Sequence, residues 1–309
     1  MNRITVHGHR GARGLAPENT LASFQRACAI GVDGLEFDVM VSADDRIVIH
    51  HDARLNPMLC RSSAGCWLEA PTPRIRELAA RDLGRYDVGR ARPGSAIAQR
   101  FFQQTPSDGA GIPLLTDLAE LWHTLHPVRP LLNIELKSDP HQPADTPAPE
   151  RYAAIILEEL YRLDLHRHCW LQAFDWRLLR AVQHIDPTVV TGYLSSERNG
   201  DATIRVSGTS PWLAGFDPHL FGGSLPAAIS AAGGTVWGPC FDDLSTKRVA
   251  QAHAIGLRVH SWTLNEPEQI NRAIDLNLDG FSTDYPDRAR ALLLQSGLVT
   301  APPCTAANA

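Results

Sequence analysis

The sequence predicts an α/β fold, a (β/α)8 TIM barrel with a small insertion after the second strand, and two observations carry that expectation. Short apolar runs alternate with stretches of helical spacing along the 309 residues, and a β-then-α rhythm implies parallel strands joined by helical crossovers. Leaving out one hairpin return, the runs number eight. Eight units at this length favour a closed barrel over an open sheet.

The elements follow in order. Residues 4–9 read as the first strand and 20–31 as the first helix, where Leu21, Phe24, Ala27, Cys28 and Ile30 share a face and Asn19 or Thr20 caps the start. Residues 34–41 are the second strand, and the turn chemistry of Ser42-Ala43-Asp44-Asp45 returns the chain through 46–51 as a β-hairpin. Further strands fall at 131–137, 168–174, 188–194, 235–238, 258–264 and 280–283. Helices fall between and after them at 149–163, 177–185, 225–232, 245–255, 266–276 and 286–295. Residues 52–112, rich in Pro, Gly and Arg, are too long for a structureless loop in a compact domain, so they read as an insertion over the barrel mouth. One barrel domain thus spans 1–300, and 301–309 are expected to form a flexible tail.

Composition narrows the partners. Hydrophobic residues at 44% and charged residues at 20% suit a soluble enzyme with a sizeable core. The net charge is −5 and no dense Lys/Arg run occurs, which argues against nucleic acid and for a small anion met by a few placed cations. Cys28, Cys60, Cys66, Cys169, Cys240 and Cys304 form no CxxC pair and read as buried or incidental thiols, with a Cys60–Cys66 bridge as the alternative. No run is long enough to span a bilayer, and the N-terminus reads directly into a strand. A cytoplasmic protein without stable membrane insertion is the expectation.

Charge patterning then locates a site. Barrel strands alternate between a helix-facing and an inward-facing set. Leu35, Phe37 and Val39 take the outer face of the second strand, so Glu36 and Asp38 point inward; Leu132, Ile134 and Leu136 likewise leave Asn133, Glu135 and Lys137 inside. On the first strand His7 and His9 are the inward pair. Carboxylates clustered in a barrel interior are costly unless compensated. A divalent cation is the simplest compensation, and three carboxylates without a thiolate indicate Mg2+ or Ca2+; a salt-bridge network around Lys137 is the structural alternative. Arg10 and Lys137 bring the charge of such a site to a value that suits a phosphodiester monoanion.

These residues resemble the glycerophosphodiester phosphodiesterase family. The resemblance runs through His9-Arg10-Gly11, Ala16-Pro17-Glu18-Asn19-Thr20, Glu36-Phe37-Asp38, His51-Asp52, Ile134-Glu135-Leu136-Lys137, Trp262-Thr263-Leu264-Asn265 and Thr283-Asp284-Tyr285-Pro286, in family order across nearly the whole chain. It implies a (β/α)8 barrel with Glu36, Asp38 and Glu135 as metal ligands, His9 and His51 as the general acid–base pair, and Arg10 and Lys137 on the phosphate. It also implies metal-dependent hydrolysis of deacylated phospholipids to glycerol 3-phosphate and an alcohol. Ser42 stands where the family often has Thr, and the additional His7 and His50 read as structural. Glu18 and Asn19 are expected to fix the turn after the first strand, with a supporting contact to the site as the alternative, while His123, His126, His166 and His219 read as surface residues. Trp262 and Phe174, late on their strands, are either core filling or a wall beside the substrate. The competing functions are a phosphodiesterase acting on lysophospholipids or sphingomyelin, for which Met58, Leu59, Trp67, Phe101 and Phe102 could line a groove, and a non-catalytic phosphodiester-binding barrel.

Overall fold

Residues 3–197, 202–205 and 208–306 are described in the computed structural model. Along them run β1 (Thr5–His9), α1 (Leu21–Ile30), β2 (Gly34–Val41) and β3 (Ile47–Ile49), then α2 (Ala80–Leu83) and α3 (Ala96–Arg100) within the insertion. Next come α4 (Leu115–His123), β4 (Leu125–His126), β5 (Leu131–Leu136), α5 (Pro149–Arg162), β6 (Cys169–Ala173), α6 (Trp176–Ile185) and β7 (Val190–Ser195). The chain continues through α7 (Leu225–Ala231), β8 (Val236–Pro239), α8 (Thr246–Ala254), β9 (Arg258–Ser261), α9 (Pro267–Asp275), β10 (Gly280–Thr283), α10 (Pro286–Gln295) and β11 (Thr305–Ala306).

Eight parallel strands close into a barrel in the order β1-β2-β5-β6-β7-β8-β9-β10, with β10 returning to β1. The short β3 adds antiparallel to β2 outside the ring, through a turn in which Ser42 N–H donates to the Arg46 carbonyl and Asp45 takes a positive φ of 57°. Strand parity behaves as the alternation requires: Leu35, Phe37, Val39, Leu132, Ile134 and Leu136 join the main apolar core between strands and helices. The barrel floor is filled by His7, Trp170 and His260, whose rings lie 4.2–5.3 Å apart. Asn133 ties this layer together, donating to His7 Nδ1 at 3.3 Å and accepting from the Trp170 indole N–H. Gly34 is required beside it, because a Cβ there would meet the His7 ring at 2.6 Å. His7 is therefore a packing residue, and burial followed by the nearby Arg258 lowers its pKa to about 3.

Two expectations need correction. The stretch 113–130, left without an element, contains α4, the helix of the second βα unit, which buries Leu115, Leu118, Ala119 and Trp122. Those positions repeat at helical spacing, but the helix begins without a side-chain cap from Leu114 and directly follows the insertion. The tail is also not free: Ala301 and Cys304 are 5% and 3% exposed, Cys304 N–H donates to the Cys28 carbonyl, and β11 pairs with β4. Apolar burial against α1 outweighs the low structural propensity of the segment, and residues 307–309 lie outside the described part.

The insertion is folded rather than loop-like. Leu55, Cys60, Ile75, Ala80, Leu83, Val88 and Ile112 form an apolar cluster of their own, seated on Met40 and Val48 of the β2–β3 hairpin. Cys60 and Cys66 are both free thiols.

Candidate active site

The sequence-predicted residues meet where barrel strands end. Arg10, Lys137, Phe174, Trp262 and Asp284 each stand just beyond the last residue of β1, β5, β6, β9 and β10, and His51 stands two residues beyond β3. In a (β/α)8 barrel that C-terminal face is where side chains from many strands converge. A cavity of 390 Å³ there is lined by His9, Arg10, Glu36, His51, Glu135, Lys137, Phe174 and Trp262, with Arg13, Arg100 and Gln172 among its further walls.

Glu36, Asp38 and Glu135 each offer a carboxylate oxygen within 4.8 Å of the others. The register explains this, since Asp38 pairs with Glu135 across β2 and β5 and His9 pairs with Glu36 across β1 and β2. Each carboxylate is anchored. Glu36 accepts from the Arg10 backbone N–H at 3.0 Å and from Gln172 at 3.3 Å. Asp38 accepts from Asn19 at 2.9 Å and faces Arg10 Nε at 3.1 Å, and Glu135 accepts from Lys137 Nζ at 2.7 Å. Burial, then the charges of Asp38 and Glu135, push the Glu36 carboxyl well above its usual range. Burial also raises Glu135 against the pull of Lys137. For Asp38 burial acts upward, but Arg10, His51 and Lys137 together outweigh it and hold the group well below the usual carboxylate range.

A divalent cation fits this donor set. The ligand atoms are hard oxygens, one of them, Asp38 Oδ1, is buried without a hydrogen-bond partner, and the mutual repulsion that raises Glu36 is what a bound cation relieves. Arg10 and Lys137 reach Asp38 and Glu135, but among the described residues no lysine or arginine pairs with Glu36, so a salt-bridge network is incomplete.

Both histidines are oriented by carboxylates that the sequence reading left without a role. His9 Nδ1 lies 2.6 Å from Asp284 Oδ1, and His51 Nδ1 lies 2.6 Å from Asp52 Oδ1. A carboxylate only accepts, so Nδ1 carries the proton on each ring and Nε2 is free to exchange one. His9 Nε2 faces the acidic cluster, 3.9 Å from Glu36. Asp284 is itself held by Asn265, which donates at 2.7 Å, and Asp52 by Asn56 at 2.8 Å. Burial, opposed by Asp284, lowers the His9 pKa; burial followed by Lys137 and Arg10 lowers His51 to about 4.

Arg10 sits at φ 50°, a left-handed conformation that a β-substituted residue adopts at a cost. Its backbone N–H to Glu36 and its carbonyl, which accepts from Asn19 N–H and Ser23 Oγ, hold it there. The guanidinium pairs with Glu18 at 2.6 Å, and Arg13 pairs with the same carboxylate at 2.6 Å. Glu18 and Asn19 thus support the site through Arg10 and Asp38 as well as the turn. Trp262 and Phe174 meet edge to face at 5.3 Å and wall the cavity.

What sequence reading missed was partly visible. Asp52 and Asp284 lay inside the recognised motifs, and Gln172 shares inward parity with Trp170. Arg13 and Arg100 had no signal, because one stands in a turn and the other is brought over the mouth by the fold of the insertion.

Comparison with known proteins identifies the family. The model of the glycerophosphoryl diester phosphodiesterase family matches residues 9–288. The chain belongs to that family. It is accordingly an enzyme of the glycerophosphodiester phosphodiesterase class. A putative glycerophosphoryl diester phosphodiesterase from Silicibacter pomeroyi DSS-3, known as a crystal structure, is 34% identical with a TM-score of 0.84, covering 96% of this chain and 95% of that one. The glycerophosphodiester phosphodiesterase of Bacillus altitudinis is 25% identical over 92% of this chain and 96% of its own. Human lysophospholipase D GDPD1 is 28% identical over 92% and 84%. Among the described residues no helix is long and apolar enough to cross a membrane.

Proposed function

We propose that the enzyme hydrolyses glycerophosphodiesters such as glycerophosphocholine and glycerophosphoethanolamine to glycerol 3-phosphate and an alcohol. In this reading Glu36, Asp38 and Glu135 hold Mg2+ or Ca2+, and His9 and His51 are the acid–base pair. The observation that carries it is a three-carboxylate cluster, two of whose members line one cavity together with two carboxylate-oriented imidazoles and two cations.

Glu36, Asp38 and Glu135 would hold the cation, which would supply Lewis-acid polarisation. Arg10 and Lys137 grip the non-bridging oxygens of the phosphodiester, and Phe174 and Trp262 shield the substrate from water on the barrel's far side. One of His9 and His51 takes the proton of the glycerol 2-hydroxyl as its oxygen attacks phosphorus. The other gives a proton to the departing alcohol oxygen as that P–O bond breaks. The cyclic phosphate that results is opened by water, with the two imidazoles exchanging roles and returning to their starting protonation.

The test is to strip the protein with a chelator and assay glycerol 3-phosphate release from glycerophosphocholine on adding Mg2+ or Ca2+. Activity should vanish and return with metal, and Glu135→Ala should remain inactive at concentrations that restore the parent. Undiminished turnover in chelator would overturn the metal assignment. Absence of glycerol 3-phosphate under every condition would overturn the substrate.

The name of the human relative favours a second reading, an acylated substrate. The insertion gives it little support: Phe101 is buried, Phe102 is 79% exposed, and neither lines the cavity. Exclusive turnover of lysophosphatidylcholine over glycerophosphocholine would establish it instead.

A further inference from the structure

The cavity has a cationic edge that the acid–base and metal chemistry does not use. Arg10 and Arg13 share one carboxylate, Glu18, and Arg10 also faces Asp38; Lys137 faces Glu135 and Asp38. Arg100, the last residue of α3, lines the same cavity and has no carboxylate within ion-pair distance among the described residues. Its side chain is exposed but rests against the neighbouring Phe101. Its guanidinium lies 5.1 Å from the centroid of the Phe101 ring, and Arg13 lies 4.6 Å from the same ring, so two cations are gathered about one buried aromatic side chain. Glu18 answers Arg13, which leaves Arg100 as the cation of this edge without a carboxylate partner among the described residues.

We infer that Arg100, with Arg13 behind it, receives an oxyanion on the substrate's alcohol portion, so that the enzyme favours phosphodiesters whose departing alcohol bears a phosphate or carboxylate. The reacting phosphate has its own cations in Arg10 and Lys137, and Arg100 lies in the insertion well beyond Asp52 and Asn56, the insertion residues that orient His51. This inference rests on the proposed glycerophosphodiester activity. It adds a head-group class to it.

The experiment compares kcat/KM for glycerophosphoinositol 4-phosphate, glycerophosphoinositol and glycerophosphocholine, with glycerophosphoserine as the carboxylate arm, in the metal-loaded parent protein and in Arg100→Ala, Arg100→Lys and Arg100→Glu. The parent should prefer the phosphorylated inositol head over the unphosphorylated one. Arg100→Ala should lower that preference about 3–5-fold, mainly through KM, which is the scale of one partly exposed ion pair. Arg100→Lys should retain most of the preference and Arg100→Glu should invert it. Added salt of about 0.5 M should erase the difference between parent and Arg100→Ala. An equal fall on all four substrates would assign Arg100 to the common phosphate and overturn the inference, as would no change on any, or a parent preference for the choline head. Failure of the parent to turn over all four would instead overturn the functional reading beneath it.

Discussion

The barrel and the segment 52–112 are held together by different means. The barrel's core is continuous and contains large, fully buried side chains such as Trp122, Trp176, Trp237 and Tyr152. The insertion's own cluster is small and borrows Met40 and Val48 from the hairpin below. Around it run arginine–carboxylate pairs: Arg61 with Asp87 and Asp108, Arg90 with Asp108, Arg74 with Glu77 and Asp145, and Arg92 with Glu69. Such partly exposed pairs each contribute little, so this region is bounded more than it is packed. The difference separates two tasks. His9 and the three carboxylates stand on the packed ring, His51 and Asp52 stand at the junction with the cover, and Arg100, proposed above to meet a variable part of the substrate, stands on the softer cover itself.

That division can be broken in several ways. The largest effects belong to the two imidazoles, one on the ring and one at its junction with the cover: His9→Ala or His51→Ala should lower kcat by roughly 10²–10⁴-fold with little change in melting temperature. Near-normal turnover in either would remove that histidine from the chemistry. Asp284→Asn keeps the shape but no longer fixes the His9 tautomer, and it should cost about 10²-fold in kcat. Its pH–rate profile should shift, which a merely structural role would not produce.

Acid should weaken the ring selectively. His7, depressed from 6.5 to about 3, stays neutral when folded and takes up a proton when unfolded. The stability it contributes is therefore present above pH 6.5 and is lost as pH falls from 6.5 toward 3, at about 1.4 kcal/mol per pH unit. His260 acts in the same direction. Urea midpoints measured between pH 7 and 5 should fall accordingly, and a flat curve would show that the floor accepts protons freely.

The cover should yield on its own. Leu55→Ala, at a fully buried position, should cost about 2–5 kcal/mol. The loss should appear as faster proteolysis within 52–112, with the barrel's main transition nearly unmoved. A single cooperative shift of the whole protein would refute the division. Smallest of all, raising salt to about 1 M should loosen the same segment by weakening its ion pairs. Unchanged proteolysis there would mean that the apolar cluster suffices.

The same contrast governs what could be read from the sequence. Barrel strands were legible because period-two alternation separates Leu35, Phe37 and Val39 from Glu36 and Asp38, and inward parity then gathers the acids. The hairpin was legible from its turn residues. Local patterns do not report which distant segments touch, so the pairing of His9 with Asp284 and the arrival of Arg100 at the cavity were hidden, although Asp284 stood in a recognised motif. The helix α4 went unassigned beside the insertion, and the tail was misjudged because its order comes from burial against α1.

His9 and Asp284 are 275 residues apart and touch only where the last strand is zipped to the first. With the roles proposed, a nascent polypeptide, or one clipped short of its final strand, possesses nearly every reactive group yet lacks the clasp that aims the imidazole. Under those roles full catalytic competence waits on ring closure, the step that brings Asp284 to His9.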